Sequence, residues 1–397
     1  MRSIPGGQPA LLRRINEAAV LSRLHESGPL RLAQLAERAG LSRPTVVGVV
    51  ESLAADGLVD YINTDDAGDR KPGRPARLVR LRPDAAHVVG LDIGPHKSLV
   101  LVADLAGRVV AEGRLDTATP PAREELLRRV RGLARDTVTK AGIRRRTVRA
   151  VGAGTPGIVD PKRGLVLRVG SMPDWRSVDL AGELTGMFGG PVFVENDVNL
   201  AVLAERWRGA GPDAAILVAV QWGARVGAGI LIGEQLLRGA NGAAGELGLL
   251  PVGAGRVKFE AAVGAPAIAR LVRVRARQAG AAGLRRMLAG KADLGTTVFA
   301  AMSQGDPAAA AVVEEIADRF VDGLIPLIRI LDPDLIVIGG GTSRAGPVLL
   351  DALNRSVRRR SRKPPPLALS VLGDRAVALG ATRLALDHVE QTLFTVH

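Results

Sequence analysis

The chain has 397 residues, carries a formal net charge of +14 and contains no cysteine. This length exceeds one ordinary hydrophobic core, so we expect two or three domains, and the lack of cysteine excludes disulfides and cysteine-ligated zinc or iron–sulfur sites. Because no apolar run is long enough to span a bilayer and the N-terminus lacks a signal-peptide pattern, the sequence predicts a cytoplasmic protein with no membrane partner.

The first 60 residues show the pattern of three short helices followed by a strand. Ser42 is a suitable N-cap for the third helix, and Pro44 lies in its first turn, where a missing N–H costs nothing. This order is typical of a winged helix-turn-helix domain, in which the last helix enters the major groove N-terminus first. We therefore predict such a domain over residues 1–63. Its first helix is expected near 11–26, with Ile15, Ala18, Ala19, Leu21 and Leu24 buried.

The start of the third helix is the predicted DNA-reading surface. Its expected contacts are Ser42, Arg43, Thr45 and Val47. Val47 reads bases weakly, so phosphate contacts would contribute much of the affinity for double-stranded DNA. The alternative is a small helical bundle that contacts another protein.

Residues 64–84 form a wing or linker rich in proline, glycine and arginine. Proline and glycine keep such a segment extended, and an extended basic arm can follow phosphates or enter a minor groove. We predict DNA contacts from Arg70, Lys71 and Arg74. A solvated spacer is the other interpretation, and the two are compatible.

Net charge does not assign DNA binding to the N-terminal region. Residues 1–84 contain 13 Lys or Arg and 10 Asp or Glu, so most of the positive excess lies downstream. Part of it lies in the arginine-rich segment 355–363. We interpret that segment as a solvated face, with an accessory DNA contact as the alternative.

Residues 85–397 read as an α/β region. Three strands, a helix and a further strand open it, and a looser version of this order follows Val192. The repetition predicts two similar lobes with a cleft between them. Single strands are expected near 87–94, 98–104, 108–115, 191–195, 335–341 and 367–372, two strands within 214–232, and a strand over 148–158 that is interrupted near its end at 154–157. Helices are expected near 122–141, 199–209, 266–288, 307–331, 346 onward and 375–390.

Two polar segments indicate a ligand pocket. A Glu-Asn-Asp sequence ends the strand at 191–195, where open α/β sheets place ligands, and a glycine-dense segment follows at 238–248. Vicinal hydroxyls of a sugar pair well with carboxylates and amides. The predicted ligand contacts are Asn196, Asp197, Glu246, Gly157 and Gly245. Alternatively, both segments are polar turns between strands and helices.

Together these motifs resemble the ROK family (repressors, open reading frames and sugar kinases), which has the two-lobed actin-like ATPase and hexokinase fold. The resemblance runs from about residue 10 to 386, and the N-terminal domain with the Gly-Arg-Pro linker resembles the repressor branch. It implies that Asp197 corresponds to the kinases' general base, and that Asn196 and Glu246 correspond to residues that hold sugar hydroxyls. The motifs that carry it lie at 90–94, 152–160, 195–199, 227–231, 239–248 and 331–341.

The chain departs from the family pattern at the zinc site and at both phosphate loops. Leu249 replaces the family's zinc-binding histidine, and the zinc cysteines are missing from 251–260, so no metal is expected. Pro95 removes an N–H from the first phosphate loop, and Arg225 stands in the second loop, which normally needs small residues. We therefore expect no kinase activity and no cofactor, with Asp197 a vestigial base.

The sequence thus predicts a DNA-binding transcriptional regulator, a repressor, that senses a sugar or a related small metabolite. It would act as a homodimer or homotetramer on a palindromic operator, because paired winged helices read two-fold sites. Ligand binding would shift the two lobes and change the spacing of those helices. The alternatives are a sugar kinase with a DNA-binding appendage and a DNA-binding scaffold that responds to no ligand.

Four further residues have open roles. Trp222 near the second phosphate loop is either a pocket wall or part of the core, and Trp175 lies in a loop that borders the sugar in the resembled family. His96 is expected to be a surface loop residue. Glu260 is interpreted as structural.

Overall fold

The structure is a computed structural model that describes residues 8–63, 77–117, 119, 121–170, 172, 174–253, 257–291 and 293–394. Arg70, Lys71 and Arg74, three predicted DNA contacts, lie outside the described residues. Within the described part of the chain, no helix is both long and apolar enough to cross a membrane.

The N-terminal domain has three helices and a two-stranded hairpin, as its pattern predicts. The helices are α1 (Gln8–Ser27), α2 (Leu32–Ala39) and α3 (Arg43–Ala55), and the strands are β1 (Val59–Asn63) and β2 (Arg77–Leu81). Strands β1 and β2 pair antiparallel, so the C-terminal part of the segment predicted as wing or linker forms the second strand of the wing.

One predicted core residue of this domain is on the surface. Ile15 is 41% exposed, whereas Val20, Leu21 and Leu24 are buried. Successive residues of a helix are about 100° apart, so Ile15 lies roughly on the opposite side of α1 from those three. The prediction for Ile15 was wrong because the pattern of apolar residues in α1 does not show which of its faces packs against the neighbouring helices.

The first lobe is built on a five-stranded sheet in the order β10-β6-β3-β4-β5. Strands β3, β6 and β10 are parallel, so their carboxyl ends meet at one edge of the sheet. The interruption expected near the end of the strand at 148–158 is present: β6 ends at Thr155, and Gly157 adopts a φ of +96° in the turn before β7. The elements are β3 (His87–Ile93), β4 (Lys97–Asp104), β5 (Val109–Asp116), α4 (Arg123–Lys140), β6 (Val148–Thr155), β7 (Ile158–Asp160), β8 (Leu165–Arg168), β9 (Val178–Asp179), α5 (Leu180–Leu184) and β10 (Val192–Asn196).

The second lobe has its own five-stranded sheet, in the order β13-β12-β11-β16-β17, which confirms the two-lobed α/β fold. A break after Ala276 divides the helix predicted over 266–288, because Gly280 adopts a positive φ. The elements are α6 (Asp197–Arg208), β11 (Ile216–Trp222), β12 (Val226–Ile232), β13 (Gln235–Leu236), β14 (Pro251–Val252), β15 (Val257–Lys258), α7 (Phe259–Val263), α8 (Ala265–Ala276), α9 (Ala282–Leu288), α10 (Leu294–Ser303), α11 (Pro307–Leu331), β16 (Leu335–Gly339), α12 (Pro347–Arg360), β17 (Leu367–Leu369) and α13 (Ala376–Phe394).

Both tryptophans with open roles are core residues. Trp222 is fully buried and stacks on Phe320 with ring centroids 3.7 Å apart, and its Nε1 donates to the carbonyl oxygen of Val263. Trp175 is 1% exposed and packs in the core of the first lobe. Both side chains therefore belong to the core, and Trp222 also lies in the wall of a cavity between the two lobes.

Three of the six basic residues in the arginine-rich segment 355–363 pair with the neighbouring helix. Arg355, Arg359 and Arg360 of α12 contact Glu314, Asp318 and Asp322 of α11 respectively. These ion pairs use much of the charge that a DNA contact would need, which favours the interpretation as a solvated face.

Helix α13 returns to the first lobe and packs closely against α6 and the sheet. A Cβ at Gly380 would collide with the carbonyl oxygen of Leu200 in α6. A Cβ at Gly152 of β6 would collide with the carbonyl oxygen of Ala381 in α13. Glycine therefore allows the close backbone approach at both contacts of this helix.

The C-terminal end of α13 packs on the N-terminal domain. Phe394 joins the hydrophobic core formed by α1, α2, α3 and the wing, and its ring lies 4.8 Å from that of His25. Nε2 of His25 is 3.8 Å from a carboxylate oxygen of Glu390. Helix α13 thus joins the two-lobed α/β region to the predicted DNA-binding domain.

Candidate functional site

A cavity of about 210 Å³ lies between the two lobes, at the carboxyl edge of the first sheet. Gly157, Asn196, Asp197 and Glu246 all line it, so the structure brings together four of the five predicted ligand contacts. The fifth, Gly245, directly precedes Glu246 but does not line the cavity. Residues from both lobes form its wall, as a cleft site requires.

Asn196 is committed mainly to starting helix α6. Its Oδ1 accepts hydrogen bonds from the backbone N–H groups of Val198 and Asn199, at 2.9 and 3.1 Å. Its Nδ2 donates to the carbonyl oxygen of Gly157 at 2.8 Å. These bonds leave one amide hydrogen free for a ligand. The main role of Asn196 is therefore to hold Gly157 and the start of α6 in place.

Glu195 stabilises the Glu-Asn-Asp turn through hydrogen bonds to its carboxylate. Its carboxylate is buried and accepts hydrogen bonds from the backbone of Asn196 and from Nδ2 of Asn199, both at 2.9 Å. It also accepts from Nε of Arg238 at 2.6 Å. This ion pair ties the strand end to the glycine-dense segment 238–248, a link that sequence reasoning missed because the partners are 43 positions apart.

Asp197 is the acid at the centre of the site. Its Oδ1 accepts from the backbone N–H of Val198 at 2.9 Å. Burial raises the pKa of Asp197 to about 6, the negative charge of Asp92 adds to the rise, and the Val198 N–H and Arg225 oppose it. Burial likewise raises the pKa of Glu246, with Arg225 opposing. The oxygens of both carboxyl groups can accept hydrogen bonds from hydroxyl groups.

Replacing Asp197 by asparagine is expected to stabilise the protein at pH 7.5 but not near pH 4. The raised pKa means that the folded state disfavours the ionised carboxylate, so the wild type loses stability as the pH rises from about 4 to about 6. Asparagine keeps the acceptor for Val198 without the charge. We expect the free energy of unfolding to rise by about 1–2 kcal/mol at pH 7.5. This is less than the pKa shift of Asp197 would give if converted in full, because the side chain is partly exposed to solvent. Thermal unfolding of the wild type and of Asp197→Asn at the two pH values measures this gain. An equal difference in stability between the two proteins at both pH values would contradict the prediction.

The two predicted glycine contacts have backbone reasons for being glycine. Gly157 and Gly245 have φ values of +96° and +81°. A Cβ at Gly157 would collide with the carbonyl oxygen of Arg168, and one at Gly245 with that of Ala228. Their roles as ligand contacts stay predictions, whereas their structural requirement follows from the geometry.

Lys97 lies beside Asp92 in the segment that corresponds to the family's first phosphate loop. Nζ of Lys97 lies 3.0 Å from the carboxylate of Asp92 and donates to the carbonyl oxygen of Asp374 at 2.9 Å. Asp92 is buried, which raises its pKa, and Lys97 opposes that rise. The carbonyl oxygen of Pro95 accepts from Oγ1 of Thr117, and His96 is exposed, as predicted. Asp92 is thus paired with the first residue of β4.

The second phosphate loop presents Arg225 to the cavity. It forms the turn between β11 and β12, where the N–H of Gly223 donates to the carbonyl oxygen of Arg225 at 3.0 Å. Nε of Arg225 is 3.8 Å from a carboxylate oxygen of Glu260, too far for a hydrogen bond. Glu260 therefore has an electrostatic role beside the cavity besides any structural one.

The predicted DNA-reading residues lie at the start of α3. Oγ of Ser42 accepts from the backbone N–H of Thr45 at 3.3 Å and lies 2.7 Å from Oγ1 of Thr45, so it caps the helix as predicted. Arg43 is exposed and Val47 is half-buried. Arg43 is the member of this group whose whole head group is available to a phosphate or base.

Comparisons with known proteins agree with this architecture. A model of the ROK family matches residues 88–388, and a model of the MarR family matches residues 15–67. The putative xylose repressor of Caldicellulosiruptor sp. (strain Rt8B.4) is 26% identical over 395 residues, which cover 96% of this chain and 98% of that protein. The glucokinase of Thermotoga maritima is 32% identical over 281 residues, which cover 68% and 86%.

Two solved structures show the same fold over different parts of the chain. The crystal structure of a ROK family transcriptional regulator, a homolog of the E. coli MLC protein, has a TM-score of 0.75 with 22% identity and covers 97% of both chains. A ROK family glucokinase from Streptomyces griseus, in complex with glucose and AMPPNP, has a TM-score of 0.66 with 31% identity. It covers 76% of this chain and all of its own.

Proposed function

This chain belongs to the ROK family, and from that premise we propose that it is a DNA-binding transcriptional regulator, a repressor, whose cleft binds a sugar or a related small metabolite. The relatives that cover nearly the whole chain, including its N-terminal domain, are named xylose repressors. The glucokinases among its relatives match smaller parts of it, between 52% and 75%. The additional N-terminal domain is what a regulator requires and a kinase does not.

One observation carries the proposal: the cavity and the N-terminal domain are joined by two packed helices. Helix α6 begins at Asp197 in the cavity wall and crosses α13 at Gly380. Helix α13 ends at Phe394, which packs against the core of the N-terminal domain. A ligand that binds the closed cleft more tightly than the open one would move α6 relative to the first lobe, and α13 would pass that movement to α1.

The DNA partner is a two-fold operator in the cytoplasm, bound by a homodimer or homotetramer. A single winged helix reads one half-site, so a symmetric operator needs two copies. Base and phosphate contacts come from Ser42, Arg43, Thr45 and Val47 of α3. The wing adds phosphate contacts from Arg70, Lys71 and Arg74.

Fluorescence anisotropy on the protein's own upstream DNA tests the proposal. We expect specific binding at about 50 and 200 mM salt, which a member of a panel of sugars, sugar acids and sugar phosphates weakens or strengthens. Arg43→Ala should lose at least about tenfold in affinity with the pocket intact, because it removes a charged contact. Asp197→Asn should keep DNA binding and lose the ligand response. Binding that salt abolishes and that ignores sequence would contradict the proposal.

A sugar kinase is the second candidate, because Asp197 stands where a general base would and a larger groove of about 590 Å³ adjoins the cavity at Gly223. Pro95 and Arg225 oppose it, since a phosphate-binding loop needs free backbone N–H groups and small residues. We therefore infer that the protein is not a kinase. ATP-dependent phosphorylation of any hexose by the purified protein would reverse this inference.

The third alternative is a DNA-binding scaffold that responds to no ligand. It would be favoured if no member of the sugar panel stabilises the protein against thermal unfolding.

A further inference from the structure

Arg225 is a cation whose guanidinium has no hydrogen-bond partner among the described residues. The residues before it in the turn are held in place: Trp222, the last residue of β11, is packed in the core, and the N–H of Ala265 donates to the carbonyl oxygen of Gly223 at 2.9 Å. The nearest carboxylate, that of Glu260, is 3.8 Å away. All five N–H donors of the guanidinium are therefore available.

The guanidinium reaches across the cleft towards the first lobe. Arg225 belongs to the second lobe, yet its Nη1 would be 3.1 Å from a Cβ at Gly170 of the first lobe. It lines the same cavity as Asp197 and Glu246. The cavity thus has two carboxylates that accept hydrogen bonds and, at the same mouth, one planar cation that donates them.

We propose that this cavity recognises an anionic polyhydroxy compound, with a carboxylate or phosphate group bound by Arg225 and hydroxyl groups bound by Asp197 and Glu246. This inference rests on the proposed function, because it names the chemical class of the effector in the same pocket. A planar guanidinium pairs bidentately with an oxyanion, and such charge-assisted pairs are stronger than bonds to neutral hydroxyls.

The arrangement also orients the ligand. Asp197 and Glu246 repel an anionic group and attract hydroxyl hydrogens, so the charged end must lie at Arg225 and the hydroxyl-bearing end at the acids. An arginine that served merely to neutralise Glu260 would be expected to hydrogen-bond to it, and the 3.8 Å separation shows that it does not.

Three probes that differ at one carbon test this assignment: D-glucose, D-glucuronate and D-glucose 6-phosphate, titrated into the full chain by calorimetry without DNA. We expect at least one anion to bind about tenfold or more tightly than glucose. Arg225→Gln should abolish that preference and leave glucose binding within about threefold, whereas Arg225→Lys should keep part of it. Arg273→Gln, which removes the same charge from the exposed face of α8, is the matched control and should change nothing.

Whichever anion binds more tightly identifies the source of the charge, a carboxylate or a phosphate ester. The proposal fails if glucose binds as tightly as both anions, if neither anion binds the wild type at about 10 mM, or if Arg225→Gln weakens all three equally. Anisotropy on the upstream DNA, measured separately, tells the two proposals apart. Specific DNA binding without anion preference overturns this inference alone, and anion preference without specific DNA binding overturns the regulatory function alone.

Discussion

Replacing Gly380 by valine is expected to lower the free energy of unfolding by more than about 4 kcal/mol. The new side chain would collide with the carbonyl oxygen of Leu200, and its Cβ would lie 2.5 Å from the carbonyl carbon of the same residue. Both atoms belong to the backbone of α6, so the clash cannot be relieved by a change of rotamer and α6 must move away from α13. Because α6 begins at Asp197, we also expect ligand binding to fail in any molecules that stay folded.

Thermal and urea unfolding followed by circular dichroism measure this loss. The matched control is Gly132→Ala in α4, where a Cβ would meet nothing within 4 Å. That helix substitution should leave stability unchanged or raise it by up to about 1 kcal/mol. A Gly380→Val protein that unfolds within about 1 kcal/mol of the wild type would show that α6 and α13 are not packed as described.

The second large effect is expected for Phe320→Ala, which should destabilise the protein by about 3–5 kcal/mol. Phe320 is fully buried, stacks on Trp222 and lies 5.6 Å, between ring centroids, from Phe259. Removing its ring leaves a cavity beneath the strand that ends at Trp222. The Arg225 turn follows that strand directly, so the preference for an anionic ligand should weaken as well.

Ile330→Ala on the same helix is the control, since Ile330 is 80% exposed. Its expected effect is within about 0.5 kcal/mol. Chemical denaturation of both variants separates the two cases. Equal effects at the buried and exposed positions would contradict the packing of α11 against β11.

The fold could be predicted largely from local patterns. The N-cap at Ser42, the turn glycines and the alternation of buried strands with helices depend on residues close together in the chain, so the sequence reveals them directly. Helix α10 was missed, and the helix over 266–288 was predicted as one. Helices α8 and α9 share an alanine- and arginine-rich composition, and nothing in their periodicity reveals the turn at Gly280.

Most residues that line the candidate site could be predicted from the sequence, but the hydrogen bonds that each of them makes could not. The resemblance implied that Asn196 holds hydroxyls, yet most of its hydrogen bonds start helix α6 and reach Gly157. The ion pair of Glu195 with Arg238 is a contact between distant segments, which no local pattern encodes. Arg225 could be noticed as a departure from the family motif, but its freedom from hydrogen bonds depends on where Glu260 lies in space.

The packing of Phe394 on the N-terminal domain also affects how the protein is made. A ribosome completes the three helices and the wing about 300 residues before it adds this phenylalanine, a delay of roughly 15 to 60 s at usual elongation rates. During that time the hydrophobic core of the domain lacks the aromatic ring that packs against it. We therefore expect the nascent domain to be less stable than the finished one, so that full affinity for DNA arises only after the effector region has been synthesised and has folded.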